Sequence, residues 1–160
     1  MSDILTPELQ QAIDKWVAKY PPEQKRSALS PALMLVQEAN GGFLTESLIE
    51  AVAQYLEQPA IAAFEVVSFY SMFERKPVGR HKLCICTNVA CMLRGSDEAV
   101  AHLKKRLGVG LGETTADGKI TLKEVECLGA CIDAPVMQVG DTYHRRLTDA
   151  SIDKLLDTLE

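Results

Sequence analysis

Apolar positions recur at helical spacing through the first half of the chain, and the period changes in the second. Thr6-Pro7 offers a hydroxyl cap followed by a proline suited to the first helical position. Leu9, Ile13, Trp16, Val17 and Tyr20 then form one stripe that Pro21-Pro22 ends, and core packing is the expected role of Trp16. Residues 24–39 predict a second helix with Leu29, Leu33, Val36 and Ala39 inward. Pro31 lies inside it, lacks the N–H that would bond the Ser27 carbonyl, and predicts a kink or a break at that point. Asn40-Gly41-Gly42 supplies left-handed residues to end it. Thr45 is placed to cap a third helix with Leu48, Ile49, Val52, Tyr55 and Leu56 inward. Beyond Pro59 a fourth helix is expected over 60–72, and its Phe64, Val67, Phe69 and Tyr70, with Phe73, read as a bundle core.

Arg75-Lys76-Pro77-Val78-Gly79-Arg80 is a basic joint that divides the chain into an N-terminal helical bundle, 1–78, and a mixed domain, 79–160. His81 to Cys86 predicts a strand. Ser96 is the expected cap of a helix with Val100, Leu103 and Leu107 inward, closed by Gly108, and His102 on or beside that face reads as a packed surface histidine. Asp117-Gly118 predicts a turn into a strand over 120–126, and short strands follow at 136–139 and 142–146. Thr148 then caps a helix with Ile152, Leu155, Leu156 and Leu159 along one side, while Asp149, Asp153 and Asp157 form a solvated face. This order allows a thioredoxin-like sheet without requiring it.

No apolar run approaches the roughly 20 residues that a membrane span needs. Asp3 and Glu8 sit where a basic, apolar leader would be, so no targeting segment is expected. The net charge of −5 makes nucleic acid an unexpected partner. The 46–56 and 60–72 pair has helix-turn-helix spacing, yet residues 58–73 contain no Lys or Arg to grip phosphate. That weighs against a DNA-binding redox sensor.

Five cysteines, an odd number, fit metal ligation in a reduced compartment better than a disulfide framework. Four of them form two pairs, Cys86-x4-Cys91 and Cys127-x3-Cys131, in short segments rich in small residues. All-sulfur sites select zinc, copper(I) or an iron–sulfur cluster. Structural zinc knuckles favour two intervening residues, although two to four occur. The wider gaps here favour a 2Fe–2S unit with one iron per pair, and a zinc-stapled interaction module stays open as the alternative. Other redox and hydrolytic chemistries lack their residues. There is no C-x-x-C dithiol, no G-x-G-x-x-G or P-loop, and no histidine set by motif beside a nucleophile.

The words around these cysteines are specific. Cys86-Thr87-Asn88-x-x-Cys91-Met92-Leu93-Arg94-Gly95-Ser96, Gly112-Glu113-Thr114-Thr115-x-Asp117-Gly118 and Glu126-Cys127-Leu128-Gly129-Ala130-Cys131-x-x-Ala134-Pro135-Val136 resemble the NuoE-type subunit of NADH:quinone oxidoreductase, respiratory complex I. Lys25-Arg26-Ser27-Ala28-Leu29, Glu38-x-Asn40-Gly41-Gly42 and Phe69-Tyr70-x-Met72-Phe73 extend the resemblance over nearly the whole chain.

The resemblance implies an α/β class of fold, a helical bundle followed by a thioredoxin-like domain, with one 2Fe–2S cluster on Cys86, Cys91, Cys127 and Cys131. Cys84 shares a strand face with Cys86, but the family motif leaves it out. Arg94 is a candidate for positive charge near the cluster or for a partner contact, and Pro135 for a cis bond, which this fold favours. The implied role is an electron-transfer subunit that exchanges an electron with FMN on a partner NADH-oxidising subunit. This chain holds neither FMN nor a complete active site of its own. Its other implied neighbours are peripheral-arm subunits on the cytoplasmic face of a bacterial inner membrane, without insertion into the membrane. NAD-reducing hydrogenases and NAD-linked formate dehydrogenases carry an equivalent diaphorase subunit, the alternative assembly.

Overall fold

The computed structural model describes residues 4–159, so Asp3 lies outside the described residues. The chain divides into two compact units, Met1–Pro77 and Val78–Glu160. In the first, Thr6 caps α1 (Pro7–Val17) by accepting from the Leu9 N–H at 3.3 Å, and Ile13 is fully buried. The predicted second helix is two pieces, a 3-10 segment, Pro22–Ala28, and α2 (Leu29–Ala39). The break falls before Leu29, not at Pro31. Pro31 thereby sits in the first turn of α2, where a backbone N–H has no intrahelical acceptor and its loss costs nothing.

The end of α2 is a Schellman motif: Gly42 N–H bonds the Gln37 carbonyl at 2.8 Å and Gly41 N–H that of Glu38 at 3.3 Å. Thr45 caps α3 (Glu46–Tyr55) through the Leu48 N–H. The last helix, α4 (Ala60–Phe69), stops three residues short of the expected end, as Tyr70 turns extended. Leu29, Leu33, Val36, Leu44, Ile49, Val52, Leu56, Ala63 and Val67 fill the core of this unit. The aromatic run does not belong wholly to it. Phe73 is buried, whereas Phe69 is 80% exposed and Tyr70 46%, stacked edge to face at 5.0 Å. Phe69 faces outward from the last turn of α4, and Tyr70 lies beyond the helix end, where helical periodicity no longer applies.

The second unit is a five-stranded sheet ordered β2-β3-β1-β4-β5, with β1 (His81–Cys86), β2 (Glu113–Thr114), β3 (Ile120–Val125), β4 (Val136–Val139) and β5 (Thr142–Arg145). Only β1 and β3 run parallel. Between β1 and β3 lie a single turn, α5 (Val89–Met92), and α6 (Ser96–Leu107), and the chain ends in α7 (Asp149–Thr158). Leu83, Ile85, Leu122 and Met137 of the sheet pack with Ala99, Val100 and Leu103 of α6 and Ile152 of α7. The α/β class of fold is therefore as expected.

One local expectation fails here. Ser96 does not cap α6, because Gly95, in the left-handed region at φ +96°, occupies the capping position; the Ser96 hydroxyl is buried and has no hydrogen-bond partner among the described residues. The aspartates of α7 form a largely solvated face, as expected, and two of them also pair with side chains of α6. Asp153 lies 2.8 Å from His102 Nε2 and 2.7 Å from Arg106 Nε, and Asp157 lies 3.3 Å from Arg106. Thr148 caps α7 as expected, in a capping box with Ser151. No helix among the described residues is long and apolar enough to cross a membrane.

Candidate metal centre

Parallel neighbours finish at the same sheet end, and β1 and β3 finish together, with Cys86 in register with Val125. That register brings together two segments 35 residues apart in the chain. Cys86 closes β1, and Cys91 follows on α5. Cys127 lies two residues beyond β3, and Cys131 opens the 3-10 turn Cys131–Asp133. All four cysteines singled out from the sequence therefore gather at one end of the sheet.

Side chains tie the two segments together. Thr87 Oγ1 donates to Glu124 at 2.6 Å and Asn88 Nδ2 to Glu126 at 2.8 Å, while Thr87 N–H extends the ladder to the Val125 carbonyl. Asn88 Oδ1 also accepts from the Val89 N–H and opens α5. On the far side β5 holds the Cys127–Cys131 loop. Tyr143 hydroxyl donates to the Leu128 carbonyl at 2.9 Å, and Arg146 donates from Nε to the Asp133 carboxylate at 2.9 Å. Arg146 N–H also bonds the Asp133 carbonyl, at 2.8 Å. Sequence reading missed Tyr143, Asp133 and Arg146, because their partners lie 13 to 15 positions away, beyond any local pattern.

The thiols fall into two unlike pairs. Cys86 and Cys91 are buried with Ala134 and the partly buried Leu128, whereas Cys127 and Cys131 are exposed, their sulfurs 3.3 Å apart. Burial, with a hydrogen bond that the Cys91 thiol donates to its neighbour Cys86, pushes Cys91 up to about 11, against a backbone N–H bond from Val136. The N–H of Gly129, 3.4 Å from Cys127 Sγ, holds that thiol below its ordinary value, aided by Cys131. Cys131 is raised by the same bond to Cys127. Charge on Cys131 reaches Cys91, and charge on Cys86 reaches Cys131, so the pairs face one another. Among the described residues no three His, Cys, Asp or Glu side chains close around one metal ion. Two sulfur pairs suit a dinuclear group, one iron to each pair.

Exposed apolar side chains sit on the same short elements: Val89 and Met92 on α5, Leu93 just after it, and Ile132 beside Cys131. Ile132 is 87% exposed and Leu93 77%. Arg94 is exposed, and the Ala134–Pro135 bond is cis. Cys84 lies in mid-strand, paired with Lys123 and Gln138, away from the strand end.

The family model for thioredoxin-like 2Fe-2S ferredoxins matches residues 13–160. The chain is 50% identical over 141 residues to the E subunit of NADH-quinone oxidoreductase from Rickettsia felis, an alignment covering 88% of this chain and 84% of that protein. To the mitochondrial NADH dehydrogenase (ubiquinone) flavoprotein 2 of Dictyostelium discoideum it is 45% identical over 148 residues, covering 92% of this chain and 60% of that one. Among solved structures, a chain of an NAD+-reducing NiFe hydrogenase in its H2-reduced state superposes with a TM-score of 0.67 at 21% identity, a likeness of fold. The superposition covers 79% of this chain and 22% of the hydrogenase chain.

Proposed function

The chain belongs to the thioredoxin-like 2Fe-2S ferredoxin family, alongside the E subunits of NADH-quinone oxidoreductase, and we propose that it is the electron-transfer subunit of such an enzyme. In this reading Cys86, Cys91, Cys127 and Cys131 hold one 2Fe–2S cluster, which exchanges an electron with FMN on a partner subunit that oxidises NADH. The observation that carries it is the pairing of the thiols, two buried and two exposed, at the shared end of β1 and β3.

One-electron exchange is the chemistry such a cluster supplies when bound. This chain's residues give it a place and a setting. Cys86 and Cys91 would hold from the buried side and Cys127 and Cys131 from the exposed side. Leu128 and Ala134 keep water from the inner pair. Backbone N–H groups of Gly129 and Val136 are aimed at Cys127 and Cys91, where they offset negative charge on sulfur. The exposed Val89, Met92, Leu93 and Ile132 give a flavin-bearing partner an apolar seat beside the exposed pair, which shortens the path for the electron. The assembly is the peripheral arm of a respiratory complex at the cytoplasmic face of a bacterial inner membrane. We favour it over an NAD-reducing hydrogenase because the likeness to the E subunits extends to sequence, whereas the hydrogenase likeness is one of fold.

Electron paramagnetic resonance of the anaerobically purified chain, with iron and zinc assayed on the same sample, tests this. The expected result is silence when oxidised, a rhombic or axial signal after dithionite reduction, and about two irons per chain. One zinc per chain with no signal in either state would overturn it in favour of a structural staple.

A further inference from the structure

The exposed cysteine loop contains one peptide group that is hydrogen-bonded at both ends. Its carbonyl, that of Leu128, accepts from the Tyr143 hydroxyl at 2.9 Å. Its N–H, that of Gly129, points at Cys127 Sγ, 3.4 Å away. Carbonyl and N–H lie on opposite sides of a trans peptide, so phenol, peptide and sulfur form a single line of donors and acceptors. A donor on a peptide oxygen polarises the group and strengthens the bond that its N–H makes.

Given that Cys127 is a cluster ligand, a premise taken from the proposed function, we propose that Tyr143 is a positioning residue that raises the cluster's reduction potential by orienting and polarising the Leu128–Gly129 peptide. An N–H···S bond stabilises the more negative, reduced state over the oxidised one. Tyr143 never needs to touch the group. It acts from β5, a strand that contributes no cysteine. Gly129 is suited to the other end of the line: its φ is +76°, a value that glycine adopts without strain.

The test is a redox titration of the intact chain with dithionite, followed by electron paramagnetic resonance, on the wild type and Tyr143→Phe, with iron content and thermal unfolding measured alongside. Loss of the hydroxyl is expected to lower the equilibrium constant for reduction about threefold, or about 30 mV at 59 mV per tenfold for one electron. Gly129→Ala finds open space for its Cβ but a strained backbone, so it disturbs the same peptide from its other end. It too should lower the potential, and the double variant should fall short of the sum. An unchanged potential in a Tyr143→Phe chain carrying a full cluster would overturn the role of Tyr143 and leave the cluster standing. So would strict additivity in the double variant. Absence of iron and signal from the wild type would overturn the cluster itself.

Discussion

The carboxylate of Asp153 on α7 lies 2.8 Å from Nε2 of His102 on α6, joining the two helices that cover one face of the sheet. This bond, seconded by Arg106, holds the Asp153 carboxyl below its ordinary value of 3.8. A depressed carboxylate stabilises the fold above its ordinary value, and the contribution disappears as pH falls through the depressed one. Asp153→Asn should therefore melt at a lower temperature near neutrality and show a weaker loss of stability at acid pH than the wild type. Thermal unfolding followed from neutral pH to about pH 2 measures both effects. Equal slopes in the two proteins would count against the pairing.

Gly79 leads into β1 with its backbone against that of the chain entering β3. A Cβ built there would meet the backbone of Lys119 and Ile120 at 2.9 Å, closer than atoms can pack. The obstructing atoms cannot swing aside, because His81 N–H bonds the Lys119 carbonyl at 2.8 Å and Gly79 N–H bonds Thr121 Oγ1 at 2.6 Å. Gly79→Ala is expected to destabilise the chain by about 1–3 kcal/mol, the range for forced overpacking. Urea unfolding monitored by circular dichroism would show it as a lowered midpoint at unchanged slope.

Where the sequence was legible, the physics was local. Thr6, Thr45 and Thr148 all cap helices, because a hydroxyl needs only the N–H three residues on. Ser96 looked the same and is not a cap, since the left-handed Gly95 before it takes that position. Pro31 signalled a break, but its offset depended on which turn of α2 it would occupy. The single turn of α5 and the two-residue β2 are too short for any periodicity to announce. At the site, cysteine spacing singled out four residues, and the structure brings them to one end of the sheet. The bonds that hold their loops, Thr87 to Glu124, Asn88 to Glu126 and Tyr143 to Leu128, join distant positions and become visible only once the strands are paired.

The four thiols of the metal-free chain should react in a fixed order. Cys127 is exposed and its thiol is held below its ordinary value by the Gly129 N–H, so at a given pH it carries a larger thiolate fraction than Cys131 or Cys91, whose thiols are raised. Cys91 is buried and pushed up to about 11. Brief treatment with iodoacetamide near neutrality, followed by peptide mass spectrometry, should find label first at Cys127 and last at Cys91. Raising the pH should close the gap at exposed Cys131 before it does at Cys91, since burial hinders access as well as ionisation.

Cys84 and Cys86 alternate with Ile85 on the same strand and are two of the chain's five cysteines, yet they stand in different surroundings. Cys86 is buried at the strand end with Cys91 and Ala134. Cys84 lies in mid-strand, flanked in register by Lys123 and Gln138. Serine keeps the size of cysteine but supplies a hard oxygen in place of a soft thiolate, so it is a poor substitute only where iron is held. Cys84→Ser is expected to retain about two irons per chain and the same reduced-state resonance as the wild type. Cys86→Ser, of identical composition, is expected to lose most of its iron and its visible colour. Iron assay and absorption spectra of the two variants, prepared in parallel, make the comparison. If the two lost iron equally, Cys84 would be a ligand and the pairing of thiols would have to be redrawn around the middle of β1.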